Sequence, residues 1–445
     1  MIRLILIPIL LLAACQPRQT ADHAAMADAV KQEFLHAWNG YKTYAWGHDD
    51  LKPLSKGHHD WHAHSLLMTP VDAFSTMKIM GLDTQAEEAK TLIFEQLRFD
   101  YDMKVQVFEI NIRLLGGLLS AYQLDGDHRF LNLAKELADR LLPAFGSPTG
   151  MPYRYVNLLT GEVADPISNP AEIGTYILEF GTLSRETGDA RYYRIAKRAL
   201  TVLFEERSSI DLVGQQIDVT SGAWTNPATH IGGMIDSYYE YLFKGWLMFG
   251  DEDLKAMWET HIAALNRYLA HEMETGFWYG RGDMSDGKIA GTFYGALDAF
   301  FAGTLALSGD LDRAAKLQAS NFKMWSLHGI EPEGLNYVSL ENTWDSYVLR
   351  PENIESAFYL LRLTGDETYR KMGQTMFESL VRYCRHDVGY AHLKSVKTME
   401  KEDAMQSFFL AETLKYSYLL FAPPETIQLE KTVFNTEAHP LKVWP

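Results

Sequence analysis

The chain is expected to fold as an all-α protein, a closed barrel built from about seven helical hairpins. Three observations lead there. Apolar residues recur at helical spacing, as in Phe130, Leu133, Ala134, Leu137 and Leu141, with no long Pro, Ser or Gly linker after Ala21. A Gly-Asp pair recurs at Gly126-Asp127, Gly188-Asp189, Gly250-Asp251, Gly309-Asp310 and Gly365-Asp366, at intervals of 62, 62, 59 and 56 residues, with Gly81 as an earlier member. The last helical stretch, Phe408 to Phe421, is rich in apolar and aromatic residues, whereas an open solenoid would need a polar cap there.

Each Gly-Asp pair reads as a helix-to-helix turn. Glycine suits the left-handed position that ends one helix, and the following aspartate can accept from the free N–H groups that open the next. An interval of about 60 residues holds two helices and their loops, so six marks imply about seven stacked hairpins. An irregular helical bundle would show similar local periodicity.

Other sequence features set bounds. The chain has 445 residues, of which 47% are hydrophobic and 12% aromatic, enough for a large core. A formal charge of -17 opposes a phosphate backbone and argues against nucleic acid as a partner. At the N-terminus Arg3 precedes the apolar run from Leu4 to Leu12, which ends in Leu12-Ala13-Ala14-Cys15. That run is too short for a spanning helix and resembles a bacterial lipoprotein signal. We therefore expect a signal peptide over 1–14, an acylated tether over 15–30 beginning at Cys15, and a single catalytic domain over 31–445. Cys384 would then be the only free thiol, which leaves no intramolecular disulfide. Gln16 after the cysteine points to an outer membrane or the periplasmic face of a bacterial envelope.

In a closed barrel, functional residues belong on loops and helix ends at one rim. Glu109 and Arg113 are one helical turn apart and can share a face, which a surface ion pair explains equally well. Asp236 opens an apparent helix, where N-capping is the plain role. Around Arg350-Pro351-Glu352 and Glu355, proline and acids in a first turn fit helix-start rules by themselves. The segment FNTEAHP at 434–440 concentrates hydroxyl, amide and carboxylate oxygens after the last apolar helix; it reads either as a calcium site or as a loose tail. The run from His58 to His64 reads as an exposed loop rather than a transition-metal site, since it lacks the His-Glu-x-x-His pattern. No phosphate loop, nucleophile elbow or dinucleotide fingerprint is present.

Taken in order, the segments HAWNGY (36–41), WGHDDL (46–51), FEINIR (108–113), LGGLLS (115–120), TGMPY (149–153), AEIGT (171–175), DSYYEYL (236–242), RPE (350–352), SFFLAETLKY (407–416) and FNTEAHP (434–440) resemble glycoside hydrolase family 47, the class I α-mannosidases. The resemblance implies an (α/α)7 barrel and a calcium-dependent, inverting, exo-acting hydrolase of α-1,2-linked mannose. It places the general base at Glu352 and the general acid at Glu109 or Asp236, which the sequence does not decide between. It implies that Thr436 binds Ca2+ while Glu172, Glu355, Glu412 and Glu437 anchor the surrounding water. Phe408 would be the platform under the sugar, with Arg113 and Arg350 as further substrate contacts. The implied partner is an α-1,2-mannosyl oligosaccharide, bound by a monomer that meets the membrane only through its lipid anchor.

Departures from the family pattern are Ser75 and Gln406 in place of acids, and Ala296 and Ala299 in place of a pocket histidine and a cysteine. Met234, two residues before Asp236, resembles the Golgi type and suggests no strict branch preference. These departures keep two other readings open: a mannose-binding lipoprotein with impaired turnover, and a hydrolase of another linkage on the same barrel.

Overall fold

The computed structural model describes secondary structure for residues 16–444. Cys15, the expected lipidation site, and the signal segment lie outside the described residues. Fourteen helices carry the architecture. In chain order they are α1 (Gln16–Tyr44), α2 (Met68–Met80), α3 (Asp83–Gln96), α4 (Gly116–Asp125), α5 (His128–Leu141), α6 (Ile177–Thr187), α7 (Arg191–Glu205), α8 (Asp236–Phe249), α9 (Glu252–Tyr268), α10 (Phe301–Leu307), α11 (Leu311–Ser326), α12 (Glu352–Thr364), α13 (Glu367–Tyr383) and α14 (Leu414–Leu419).

The even-numbered helices form a closed inner ring: α2 contacts α4, then α6, α8, α10, α12 and α14 follow, and α14 returns to α2. The inner helices are apolar almost all round, as α10 and α14 show, whereas the outer α5 and α7 carry a single apolar stripe. Six hairpins are consecutive in sequence. The seventh pair joins the two ends of the chain, with α1 packed outside α14. This explains how six turn marks yield an (α/α)7 barrel. Ala27 and Val30 are already buried in that packing, so the folded domain starts before residue 31.

The Gly-Asp marks perform the expected work. Gly81, Gly126, Gly188, Gly250, Gly309 and Gly365 all have φ between 66° and 90°. Asp127, Asp251, Asp310 and Asp366 each cap the next helix by accepting from a backbone N–H in its first turn. Asp189 does the same for Arg191 N at 3.0 Å. These turns are short and lie at one end of the barrel.

At the other end the outer-to-inner connections are long and carry short antiparallel strands, which the all-helical reading did not foresee. One such sheet pairs Lys104–Gln106 with Tyr155–Asn157 and then Val163–Ala164, tying neighbouring loops together. This end is where the site lies. The C-terminal strands Thr432–Phe434 and Pro440–Lys442 pair as a hairpin beside α4 and α8. Its tip is buried, with Asn435, Glu437, Ala438 and His439 nearly inaccessible, so segment 434–440 is a plug in the barrel and not a loose tail. Cys384 is buried and unpaired. Among the described residues no helix is long and apolar enough to cross a membrane.

Candidate active site

A cavity of about 410 Å³ opens at the long-loop end and is floored by the C-terminal plug. Its walls bring together Glu109, Arg113, Glu172, Asp236, Arg350, Glu352, Phe408, Glu412, Thr436 and Glu437. A smaller recess beneath it is lined by Asp236, Glu240, Glu352, Glu355, Glu412 and Thr436. The residues singled out from the sequence, Cys15 aside, therefore converge on one site, drawn from five of the seven inner-helix entrances and the plug.

Local backbone features aim these side chains inward. Arg113 and Glu412 sit in π-helical turns, Asn111–Leu115 and Phe409–Thr413, that run directly into α4 and α14. Such turns recur at functional sites because they insert an extra residue into a helix. Met234 and Leu349 are non-glycine residues at φ 80° and 66°, just before the helices that begin at Asp236 and Glu352. A left-handed conformation costs about 1–2 kcal/mol at such residues. Both are held by neighbours: the Met234 carbonyl accepts from Ala171 N at 2.9 Å, and the Leu349 carbonyl from Thr413 Oγ1 at 2.7 Å. Strain is thus retained where it sets the direction of two carboxylates.

The charges form linked pairs. Arg113 Nε donates to Glu109 at 2.9 Å, its Nη1 donates to Glu437, and Asp72 lies 3.7 Å away. Its guanidinium also faces the rings of Trp61 and Phe408, at 5.1 and 5.8 Å. The Glu109–Arg113 pair therefore belongs to the cavity wall and is not a surface ion pair. Arg350 makes a forked pair with Glu333, at 3.0 to 3.2 Å, and approaches Glu352 at 3.8 Å. Glu172 lines the cavity, where Arg154 holds its carboxylate at 2.6 and 3.0 Å and Gln106 donates at 2.8 Å. Below, Lys244 donates to Glu240 and lies 3.9 Å from Glu355, while Tyr416 donates to Glu355 at 3.2 Å.

Asp236 is the first residue of its helix, and its carboxylate accepts only from the adjacent Ser237 N, at 2.8 Å. The capping role is thus not what the side chain does. Burial, with Glu240 and Asp298 nearby, pushes its pKa up to about 7. Burial likewise raises Glu352 to about 7, against the opposing pull of Arg350, and Glu355 to about 8, against Lys244. Glu412 and Glu437 are raised by burial too, Glu412 further by the neighbouring carboxylates Glu437, Glu352 and Glu355. Glu352 Oε2 is buried and has no hydrogen-bond partner on the protein. An oxygen-rich recess in which Asp236, Glu352, Glu355 and Glu412 resist ionisation suits a hard divalent cation, which would favour their charged forms.

Three of the four sequence departures, Ser75, Ala296 and Ala299, fall outside the cavity wall. Ser75 lies beneath the floor, where Lys415 Nζ donates to its Oγ at 2.9 Å and also to the Ala438 carbonyl. Ala296 is buried behind Leu297, which does line the cavity. Gln406 alone is on the wall. Sequence reasoning missed Arg154, Glu333, Lys244 and Lys415. Only Lys244 left a local signal, its spacing of four from Glu240.

A search for relatives agrees with this geometry. Residues 33–443 match the model for glycosyl hydrolase family 47. Alpha-mannosidase I MNS5 of Arabidopsis thaliana is 38% identical over 94% of this chain and 77% of its own length. Mannosyl-oligosaccharide 1,2-alpha-mannosidase MNS1 of the same plant is 38% identical over 93% of this chain and 78% of its own. The solved alpha-1,2-mannosidase from Trichoderma reesei superposes with a TM-score of 0.87 at 28% identity, covering 95% of this chain and 99% of that one. A barrel of seven hairpins with carboxylates gathered at one end, and a family match spanning nearly all of the described chain, lead to one conclusion: the chain belongs to glycosyl hydrolase family 47 and is a glycoside hydrolase.

Proposed function

We propose that the protein is an exo-acting, inverting, calcium-dependent α-1,2-mannosidase. The observation that carries this reading is the meeting of Glu109, Asp236 and Glu352 in one cavity closed at its floor by Thr436 and Glu437. A dead-end pocket accepts the terminus of a glycan and not its middle, which supports exo action. The relatives named for 1,2-linked mannose support the linkage.

Inversion needs an acid for the leaving oxygen and a base for water on the opposite ring face. Glu352 suits the base: its unpartnered Oε2 can accept a proton from water, and Glu333 holds the adjacent Arg350 in place. Asp236 suits the acid, because its raised pKa keeps a proton available near neutrality for transfer to the glycosidic oxygen. Glu109 is the second candidate acid; it shares the cavity but is engaged by Arg113. Arg113 and Phe408 offer a cationic edge and an apolar face for the sugar rings. Thr436 would hold Ca2+, with Glu172, Glu355, Glu412 and Glu437 ordering the water around it. When bound, the cation would orient the attacking water and hold the sugar ring distorted toward its oxocarbenium-like transition state.

The test is hydrolysis of α-1,2-mannobiose followed by NMR, with calcium and after chelation. Initial β-mannose that disappears on chelation and returns with calcium supports the proposal. Initial α-mannose, or turnover indifferent to chelation, overturns it. Anchoring through Cys15 in a bacterial envelope remains part of the proposal, tested by detergent-phase partitioning of the protein and its loss in Cys15→Ser.

A further inference from the structure

The loop that brings Trp61 to the cavity wall holds a second group of donors unrelated to the carboxylate floor. The strands Asp50–Lys52 and Gly57–His59 pair antiparallel, with Leu51 opposite His58. This closes residues 48 to 60 into a compact hairpin. His48 Nδ1 and Asp60 Oδ2 meet at 2.8 Å, and the rings of His48 and His58 stack at 3.4 Å and 13°. One donor atom from each of His48, His58 and Asp60 lies within 4.8 Å of the others. Asp60 is fixed independently, since its Oδ1 accepts from Asp49 N at 2.9 Å.

We propose that His48, His58 and Asp60 form a binding site for a divalent transition cation of the zinc class, separate from the proposed calcium site. Two imidazoles and one carboxylate are the donors that Zn2+, Ni2+ and Cu2+ prefer, whereas Ca2+ takes oxygen ligands. A tetrahedral Zn2+ site needs ligand atoms about 3.3 Å apart, close to the spacing already present between His48 and Asp60. The Asp49 N–H supports the carboxylate from behind, as outer partners of metal ligands do. His58 is exposed, so its ring is free to turn out of the stack and present a nitrogen. On binding, the proton shared by His48 Nδ1 and Asp60 leaves to solvent, and solvent completes the coordination. The sequence reading dismissed the run at 58–64 because no helical metal pattern is present; His48, ten residues upstream, is the partner that the hairpin brings in.

The site adjoins the cavity through one residue. Trp61 N donates to Asp49 at 3.0 Å, its indole N–H donates to Asp50 at 2.6 Å, and its ring faces Arg113. A cation clipping residue 48 to residues 58 and 60 therefore stiffens the segment that presents Trp61.

The experiment is calorimetric titration of Zn2+ into the untagged, full chain in excess Ca2+, in buffers of different ionisation enthalpy. One Zn2+ per chain with proton release is expected, abolished in the His48→Ala/His58→Ala double variant and retained in His64→Ala. Co2+ in place of Zn2+ should show ligand-field bands that change in Asp60→Asn. No saturable Zn2+ binding overturns the proposal. Binding unchanged in the double variant, or lost in His64→Ala, overturns it equally.

Discussion

Replacing Glu352 with glutamine should move activity and stability in opposite directions. The side chain keeps its shape but loses its charge, and with it the capacity to take a proton from water. General-base catalysis contributes about 10²–10⁴ in rate, so kcat should fall by about that factor with little change in the KM for mannobiose. Stability follows from the raised pKa. Burial lifts Glu352 from 4.5 to about 7, so ionising it in the folded state is penalised. A shift of that size corresponds to about 3 kcal/mol, lost progressively as pH rises from 4.5 to about 7 and absent below that range. Glutamine removes this loss. Arg350 keeps its forked pair with Glu333, so the substitution strands no cation. At an unfolding entropy of about 2.1 cal/mol/K per residue, 1 kcal/mol corresponds to about 1 °C for a chain of this length. Chelated Glu352→Gln protein should therefore melt about 3 °C higher than the parent at pH 8 and at the same temperature at pH 4. Scanning calorimetry in EDTA and mannobiose kinetics in calcium measure the two effects. A variant that melts lower at pH 8, or that keeps most of its turnover, would refute the reasoning.

Chelation should lower the melting temperature more at pH 8 than at pH 6, because Asp236, Glu352 and Glu355 have pKa values raised to about 7 or 8 and repel one another once ionised; a pH-independent effect of EDTA would count against a cation among them. Asp236→Asn should be slow on mannobiose but recover on a dinitrophenyl α-mannoside, whose leaving group needs no proton; if Glu109→Gln recovers and Asp236→Asn does not, the acid is Glu109. Burial pushes Lys415 from 10.5 down to about 7, so its charged form is penalised and stability is lost as pH falls from 10.5 to about 7. Ser75→Asp supplies a counter-charge and should raise stability at pH 6 by about 1–3 kcal/mol, read by calorimetry. Gly126→Ala meets open space but a φ of 83°, so it should cost about 1–2 kcal/mol in denaturant titration without altering kcat.

The sequence by itself determined the hairpin count and the hairpin turns, because both depend on local chemistry. Only glycine takes the left-handed position at 126 or 250 without strain, and an aspartate directly after it finds free N–H groups. It also named carboxylates of the site and the candidate calcium ligand, since Glu109, Asp236, Glu352 and Thr436 sit in distinctive segments. The apolar last helix also pointed to a closed ring, but not to which helices close it. The seventh pair joins α1 to α14 across the whole chain, and no local pattern encodes a contact between residues some 390 positions apart. The same holds for Arg154 on Glu172 and Glu333 on Arg350, and for Lys415 beneath Ser75, where one partner is an ordinary polar residue until the barrel closes. The strained Met234 and Leu349, and the π-helical turns at 111–115 and 409–413, likewise leave no local mark. They persist only because neighbouring helices supply the hydrogen bonds and packing that hold them. Tertiary structure also decided the raised pKa values, since a carboxylate resists ionisation only when the rest of the barrel has taken water away from it.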